Sequence, residues 1–368
     1  MNNPPSHYKP RPMEIELIRS MTRRPLTTRE SKKLDKLLAV PPDAKDAFII
    51  KTASEWLKTT EKPNYDTMLF GEFWHEGELC FLFADTNVGK SILAVQIGDA
   101  ISRGEPVPGF RMRPQPQTVL YFDFELSARQ FEQRYTSEAN GNYRFSPNFY
   151  RVVFNPDATN ARKFATYADY VNNALENVLT ASGARIIIID NISCLRTGTD
   201  AAAGAIRLMR NLREIKNKYG LSVLVLAHTP KRNPARPVTR NDLQGSKMLI
   251  NFADSAFAIG ESKTHTGMRY LKQIKQRSTA ETYGAANVCL CHIIKPQNFL
   301  QFQFTGPGIE STHLLPYTEE QRQNMEARIL QLRQQGLSLR QIAAKTGISY
   351  STINRTLNRV DRDEKAGI

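Results

Sequence analysis

Residues 78–101 read ELCFLFADTNVGKSILAVQIGDAI, and the way this stretch divides into three parts decides the fold. Its first seven residues, ELCFLFA, are apolar and β-prone with almost no polar interruption, the pattern of a strand covered on both faces. ADTNVGKS, from Ala84 to Ser91, is a short loop that ends in Gly-Lys-Ser, and SILAVQIGDAI has the apolar spacing of a helix. Strand, Gly-Lys-Ser bend and helix, in that order, make a cradle for phosphate. Successive backbone N–H groups and the positive end of the helix dipole converge on the bend.

This is the context that a P-loop requires. Lys90 is placed to reach the β- and γ-phosphates of ATP, Ser91 to offer its hydroxyl to Mg²⁺, and Gly89 to let the backbone approach. The expected nucleotide-binding residues are Ala84, Asp85, Thr86, Asn87, Val88, Gly89, Lys90, Ser91 and Ile92. Ala84 replaces the first glycine of GxxxxGK[ST], and Asn87 stands where many such loops carry another glycine. Asn tolerates left-handed geometry better than most residues, which keeps the loop feasible. A chance Gly-Lys-Ser before an ordinary helix is the competing account.

Working outward, VLYFDF, ARIIIID and LSVLVLAH are further short, nearly unbroken apolar runs separated by amphipathic stretches. They predict a mostly parallel sheet with helices on both faces. The runs DSAFAIG, RYLKQIK, ANVCLCHII and FLQFQF come at closer spacing and are expected to extend it with antiparallel edge strands. Glu125, Asp190 and His228 then fall at or just beyond C-terminal strand ends, the edge at which open α/β sheets bind ligands. Asp190 suits a metal role together with Ser91, Glu125 suits the orienting or deprotonation of water, and His228 suits sensing of the γ-phosphate. Solvated strand-end carboxylates are common, however, and Asp123 is read as one of those.

The chain has 368 residues, 40% hydrophobic and 23% charged, which fits one large domain with one or two small modules and excludes a chain disordered throughout. Its formal net charge of +14 favours a polyanionic partner, nucleic acid first. Cys80, Cys194, Cys289 and Cys291 form no paired CxxC, so they read as reduced core residues. No apolar run suits a membrane span and MNNPPSHYKPRP lacks a secretory apolar region, so a cytoplasmic location with no membrane partner is expected.

The series ADTNVGKS, YFDFELS, IIIIDNIS, VLAHTPKR, LQGSKMLINFADSAFAIG and YLKQIKQR resembles the RecA-type ATPases of the DnaB/RepA hexameric helicase group. That resemblance covers roughly residues 49 to 317 and implies a RecA-like core with Glu125 as catalytic glutamate and Asp190 as the Walker B aspartate. It also implies that Lys275 and Arg277, in IKQRS, reach the nucleotide of a neighbouring subunit in a ring of six. An ordinary basic edge strand is the alternative for that pair.

In such rings two loops face a central channel. Here they correspond to about Arg196–Ala205 and Thr229–Lys247, the second carrying Lys231, Arg232, Arg236, Arg240 and Lys247 against the single acid Asp242. Neither loop has an aromatic residue, so contact with single-stranded DNA would be electrostatic. The segment after Thr318 holds three helix patterns broken at Gly336 and Gly347, and resembles the helix-turn-helix of resolvase-type recombinases. Leu339, Ile342, Ala343, Ile348, Ile353 and Leu357 would close its core, leaving Tyr350, Ser351, Thr352, Asn354 and Arg355 facing duplex DNA. A protein-docking module on the same scaffold is the alternative.

The expected division is a basic N-terminal arm over 1–48, a RecA-like ATPase domain over 49–318 and an all-α helix-turn-helix domain over 319–368. The expected function is an ATP-hydrolysing, DNA-associated motor, a RepA/DnaB-like helicase or DNA-remodelling ATPase of bacterial or mobile-element origin. The alternative is a regulatory DNA-binding ATPase, serving replication initiation, transposition or transcription without unwinding.

Overall fold

Strand β1 (Leu79–Ala84) alternates its side chains between two apolar layers. Cys80, Leu82 and Ala84 enter one layer and Leu79, Phe81 and Phe83 the other. A strand buried on both sides cannot afford polar residues on either, which is why the run reads as continuous. The computed structural model describes residues 27–30, 32, 52–59, 67–155, 157, 164, 167–192, 201–230, 232–243, 249–315 and 319–366.

The chain divides into two compact units, Met1–Pro63 and Asn64–Ile368. Within the first, Thr27 and Glu30 exchange capping hydrogen bonds at a helical turn, and Thr52 with Glu55 does the same before the helix Ala53–Thr59. The rest of the expected basic arm lies outside the described residues.

The second unit is built on a nine-stranded sheet. After β1 come β2 (Val119–Asp123), β3 (Phe149–Val152), β4 (Ile186–Asp190), β5 (Ser222–His228), β6 (Ser255–Glu261), β7 (Met268–Lys275), β8 (Val288–Ile294) and β9 (Gln301–Gly308). Their spatial order is β9-β8-β7-β6-β1-β5-β4-β2-β3. Neighbours from β6 through β3 pair in parallel, whereas β6, β7, β8 and β9 form an antiparallel meander on one side.

Helix α1 (Lys90–Arg103) follows β1 and packs in one apolar layer. Helices α3 (Tyr167–Ser182) and α4 (Ala201–Tyr219) supply Leu175, Leu179, Met209, Leu212 and Ile215 to the other. Between α1 and α3 in sequence lies the short α2 (Ala128–Arg134), started by a Ser127–Gln130 capping box. The architecture is a RecA-like P-loop α/β core with a mostly parallel sheet, followed by a small all-helical segment.

Two strand expectations need correction. DSAFAIG does not open the antiparallel extension: β6 pairs in parallel with β1, Ser255 opposite Cys80, and the reversal begins only at β7. The edge strand β3, FYRV, was not foreseen, because Tyr150 is exposed and Arg151 turns inward to Asp123, which hides the apolar pattern.

The C-terminal segment comprises α5 (Glu319–Gln334), α6 (Leu339–Thr346) and α7 (Tyr350–Ala366). Ser338 and Gln341 form a capping box at the start of α6, and Gly347 closes it in the left-handed conformation at φ 70°. Ile342 and Ile353 are fully buried with Leu339, Ala343, Ile348 and Leu357 packed against them, as the apolar spacing requires. The sequence reading omitted Ile329 and Leu332, which α5 contributes to the same small core. Among the described residues no helix is long and apolar enough to cross a membrane. Cys80, Cys289 and Cys291 are buried and free, and Cys194 lies outside the described residues.

Candidate functional site

The bend between β1 and α1 takes its shape from two residues in left-handed geometry, Asn87 at φ 64° and Gly89 at φ 111°. Asparagine occupies the left-handed region at modest cost, and Gly89 lies where a side chain would be strained. A Cβ on Gly89 would also come within 2.7 Å of Ile293 and 2.8 Å of Phe302, so β8 and β9 press directly on the loop. Among the described residues, the N–H groups of Gly89, Lys90 and Ser91 donate to no backbone carbonyl, leaving a helix start open to an anion.

Lys90 is buried, and its Nζ donates to the carbonyls of Ala84 and Asp85 at 3.0 and 2.9 Å. Burial lowers its pKa, and Asp190, Glu125 and Asp85 oppose that by stabilising the ammonium. The lysine therefore folds back over its own loop, within the reach of three carboxylates. Ala84, in place of the first glycine, is the last residue of β1 and is 1% exposed; its carbonyl serves Lys90 and also accepts the N–H of Thr229 at 3.1 Å.

Asp190 ends β4 and is fully buried. One carboxylate oxygen accepts the Tyr121 hydroxyl at 2.7 Å, while Oδ1 is buried with no hydrogen-bond partner among the described residues. Burial lifts its pKa to about 6, against the downward pull of the Ser91 and Tyr121 hydroxyls. An orphaned carboxylate oxygen beside a hydroxyl fits a divalent cation that completes its shell with water and phosphate oxygens. Among the described residues no group of three His, Cys, Asp or Glu could hold a metal without such help. Ser91 and Asp190 are residues that could hold a divalent cation there.

Glu125 leaves the end of β2 on a turn held by Asp123, whose Oδ1 accepts the N–H groups of Glu125 and Leu126 at 3.2 and 2.9 Å. Asp123 in turn binds Arg151 Nε at 2.8 Å, so the residue read as a solvated strand end is a buried bracket for Glu125. Glu125 Oε1 lies 3.0 Å from His228 Nε2, and Asn191 Nδ2 hydrogen-bonds the same carboxylate oxygen. Asn191 Nδ2 is also 3.0 Å from His228 Nε2. Thr229 donates its hydroxyl to Asp85, tying the end of β5 to the loop after β1.

Sequence reasoning singled out neither Asn191 nor Thr229 as a site contact, although both follow strand ends already marked. It also missed Arg269 on β7, whose Nε donates to the Val88 carbonyl at 2.8 Å.

Lys275 and Arg277 do not join this cluster. In the antiparallel β7, Lys275 pairs with Ala256, level with the first half of β1, about 10 Å of strand below the phosphate loop. Lys275 Nζ donates to the Ile250 carbonyl at 2.6 Å, and Arg277 binds the Asn251 carbonyl at 2.9 Å and Asp254 at 3.3 Å. Burial and the neighbouring Arg277 lower the Lys275 pKa to about 8.

Of the basic loop after β5, Arg236 and Arg240 are exposed and Arg232 is half-buried, while Lys231 and Lys247 lie outside the described residues. In the other expected channel loop, 196–200 lie outside as well. Arg236 donates to the Thr352 hydroxyl at 3.1 Å, so this loop touches the first turn of α7. Tyr350, Ser351, Asn354 and Arg355 are exposed on α7, with Thr352 half-buried.

Residues 48–234 match the AAA domain, and that match spans the phosphate loop and all three strand ends of the cluster. The chain belongs to the AAA domain family. Residues 321–366, the three C-terminal helices, match the homeodomain-like domain. A KaiC-like protein from the hyperthermophilic archaeon Pyrococcus horikoshii OT3 is similar in structure at 16% identity and a TM-score of 0.41, over 62% of this chain and 91% of that one. Curated proteins give no match. In this AAA domain chain the contacts above bring together, among the described residues, N–H groups that no backbone carbonyl takes, a buried lysine and two carboxylates in different settings. Lys275 and Arg277, on the far edge of the sheet, lie outside that in-chain cluster.

Proposed function

We propose that the chain is an ATP-hydrolysing, DNA-associated motor of the DnaB/RepA-like helicase or remodelling type, with an ATPase domain over 49–318 and a DNA-recognising tail over 319–368. The observation that carries the ATPase reading is the buried Lys90 of the Gly-Lys-Ser bend facing Asp190 and Glu125 at one sheet edge.

The reaction is attack of water on the γ-phosphate. Glu125, bracketed by Asp123 and touching His228, orients that water and receives its proton. Lys90 leaves its two carbonyls for the β- and γ-phosphate oxygens. Ser91 and Asp190 would hold Mg²⁺, which would supply positive charge against the phosphates. His228 reports the γ-phosphate to the basic loop through Thr229. Arg277 and Lys275 act on the nucleotide of an adjoining copy in a ring of six, since they lie on the edge opposite their own Lys90.

Single-stranded DNA is gripped by Lys231, Arg232, Arg236, Arg240 and Lys247 through its phosphates, and duplex is met by Tyr350, Ser351, Thr352, Asn354 and Arg355. The Arg236–Thr352 contact favours a second reading, in which duplex binding regulates the ATPase without unwinding, because it joins the loop to the DNA-facing helix. ATP turnover measured with no DNA, single strands and duplex, beside molar mass in each nucleotide state and strand displacement, separates the two. Displacement selects the motor, hydrolysis without it the regulator, and a monomer with no nucleotide affinity removes both.

A further inference from the structure

Lys275 ends β7 and Arg277 lies just beyond it; both are held in place, and the carboxylate that holds Arg277 is built into the base of the phosphate-loop strand. Asp254, just before β6, engages both main-chain groups of Leu79, the first residue of β1: its Oδ2 accepts the Leu79 N–H at 2.9 Å and its own N–H donates to the Leu79 carbonyl at 2.8 Å. That two-point bond fixes the carboxylate. Its Oδ1 lies 3.3 Å from Arg277 Nη1, and its Oδ2 takes Lys216 Nζ of α4 at the same distance.

The other end of the Arg277 guanidinium donates to Asn251 O at 2.9 Å, and Lys275 donates to Ile250 O at 2.6 Å. Both carbonyls belong to the single turn Leu249–Phe252, where a helix end leaves carbonyl oxygens free. A carboxylate and two carbonyls therefore converge on two side chains that would otherwise be flexible cations, one of which, Arg277, is exposed. A planar guanidinium gripped at two of its nitrogens has its direction set, and a lysine could not reproduce that grip.

The geometry points to Asp254 as a positioning residue for Arg277, with the Ile250 carbonyl holding Lys275 beside it, so that the guanidinium is aimed at the nucleotide held by an adjoining copy. This rests on the trans reading proposed above. A cation that must meet a transition state across an interface acts only when its approach is fixed, and a displacement of about 1 Å can cost on the order of a hundredfold in rate.

The test is Asp254→Asn, which keeps an acceptor for Leu79 but loses the charge that holds Arg277. The expected result is a kcat lowered about tenfold to a hundredfold with unchanged ATP affinity and an unchanged thermal melt. Turnover should return when this protein is mixed with Glu125→Ala protein, because the latter lends correctly aimed cations to intact sites. If Asp254→Asn loses its cooperative melt, Asp254→Glu, which keeps the charge but shifts it by one methylene, goes through the same mixing. Arg277→Ala runs alongside. If Arg277→Ala is inactive and rescued by mixing while both Asp254 variants keep full kcat, or lose it without rescue, the positioning role is overturned and the trans reading stands. Full turnover in Arg277→Ala overturns both.

Discussion

Glu125 Oε1 and His228 Nε2 stand 3.0 Å apart although their strands, β2 and β5, are separated in the sheet by β4, and Asn191 at the end of β4 bridges them. Three adjacent strand ends thus share one small polar contact above the phosphate loop. If Glu125 handles the attacking water, Glu125→Gln should leave nucleotide binding intact and lower turnover by about 10² to 10⁴. Lys90→Ala should lose nucleotide binding itself, read by titration with a fluorescent ATP analogue. Equal affinity in wild type and Lys90→Ala would remove the phosphate-loop assignment.

Gly89 is constrained twice, by its backbone at φ 111° and by the side chains of Ile293 and Phe302 in the space a Cβ would need. Gly89→Ala is expected to cost about 1–3 kcal/mol in urea unfolding and to weaken nucleotide binding with it. Stability within error of wild type would show that the bend tolerates a side chain.

Lys275 carries the clearest pH signature. With its pKa lowered to about 8, it stays charged below that pH and sheds its proton as pH rises through it. Turnover should therefore fall along an alkaline limb near pH 8, and Lys275→Arg should flatten that limb because arginine keeps its charge. Stability runs the other way. The native state holds this proton less tightly than the unfolded chain does, so between about pH 8 and the ordinary lysine value near 10.4 the denaturation midpoint gains a rising contribution. An alkaline limb that survives in Lys275→Arg would assign it to another group.

Removing residues after Thr318 should weaken binding to duplex more than to single strands, measured by anisotropy at several salt concentrations. If α7 meets base edges through Asn354 and Arg355, alanine there should cost about 1–3 kcal/mol of discrimination per position. A truncated chain that loses single-strand binding instead would reassign the tail.

The β1–α1 unit, the strand ends at Asp190 and His228, and the three C-terminal helices were all legible from residue pattern, since burial on both sheet faces and glycine breaks leave direct marks on sequence. What pattern could not convey was pairing at a distance. Asp123 looks like any strand-end acid until Arg151, 28 residues on, is found against it. Arg269 lies 181 residues from Val88 and carries no local sign of serving the loop. The capping box of Ser127 and Gln130 was legible, S-x-x-Q after a strand, and would have fixed the start of α2 and hence the turn that displays Glu125.

The antiparallel strands beyond β6 contribute Arg269 to the Val88 carbonyl and Ile293 and Phe302 to the flank of Gly89, so the curvature of the bend is imposed partly from outside the segment that contains it. The consequence is that residues 78–101 are not a portable cassette. Grafted into another scaffold without those strands they would lack the walls that set their arc, and a library varying β8 or β9 would retune phosphate grip as surely as one varying the loop.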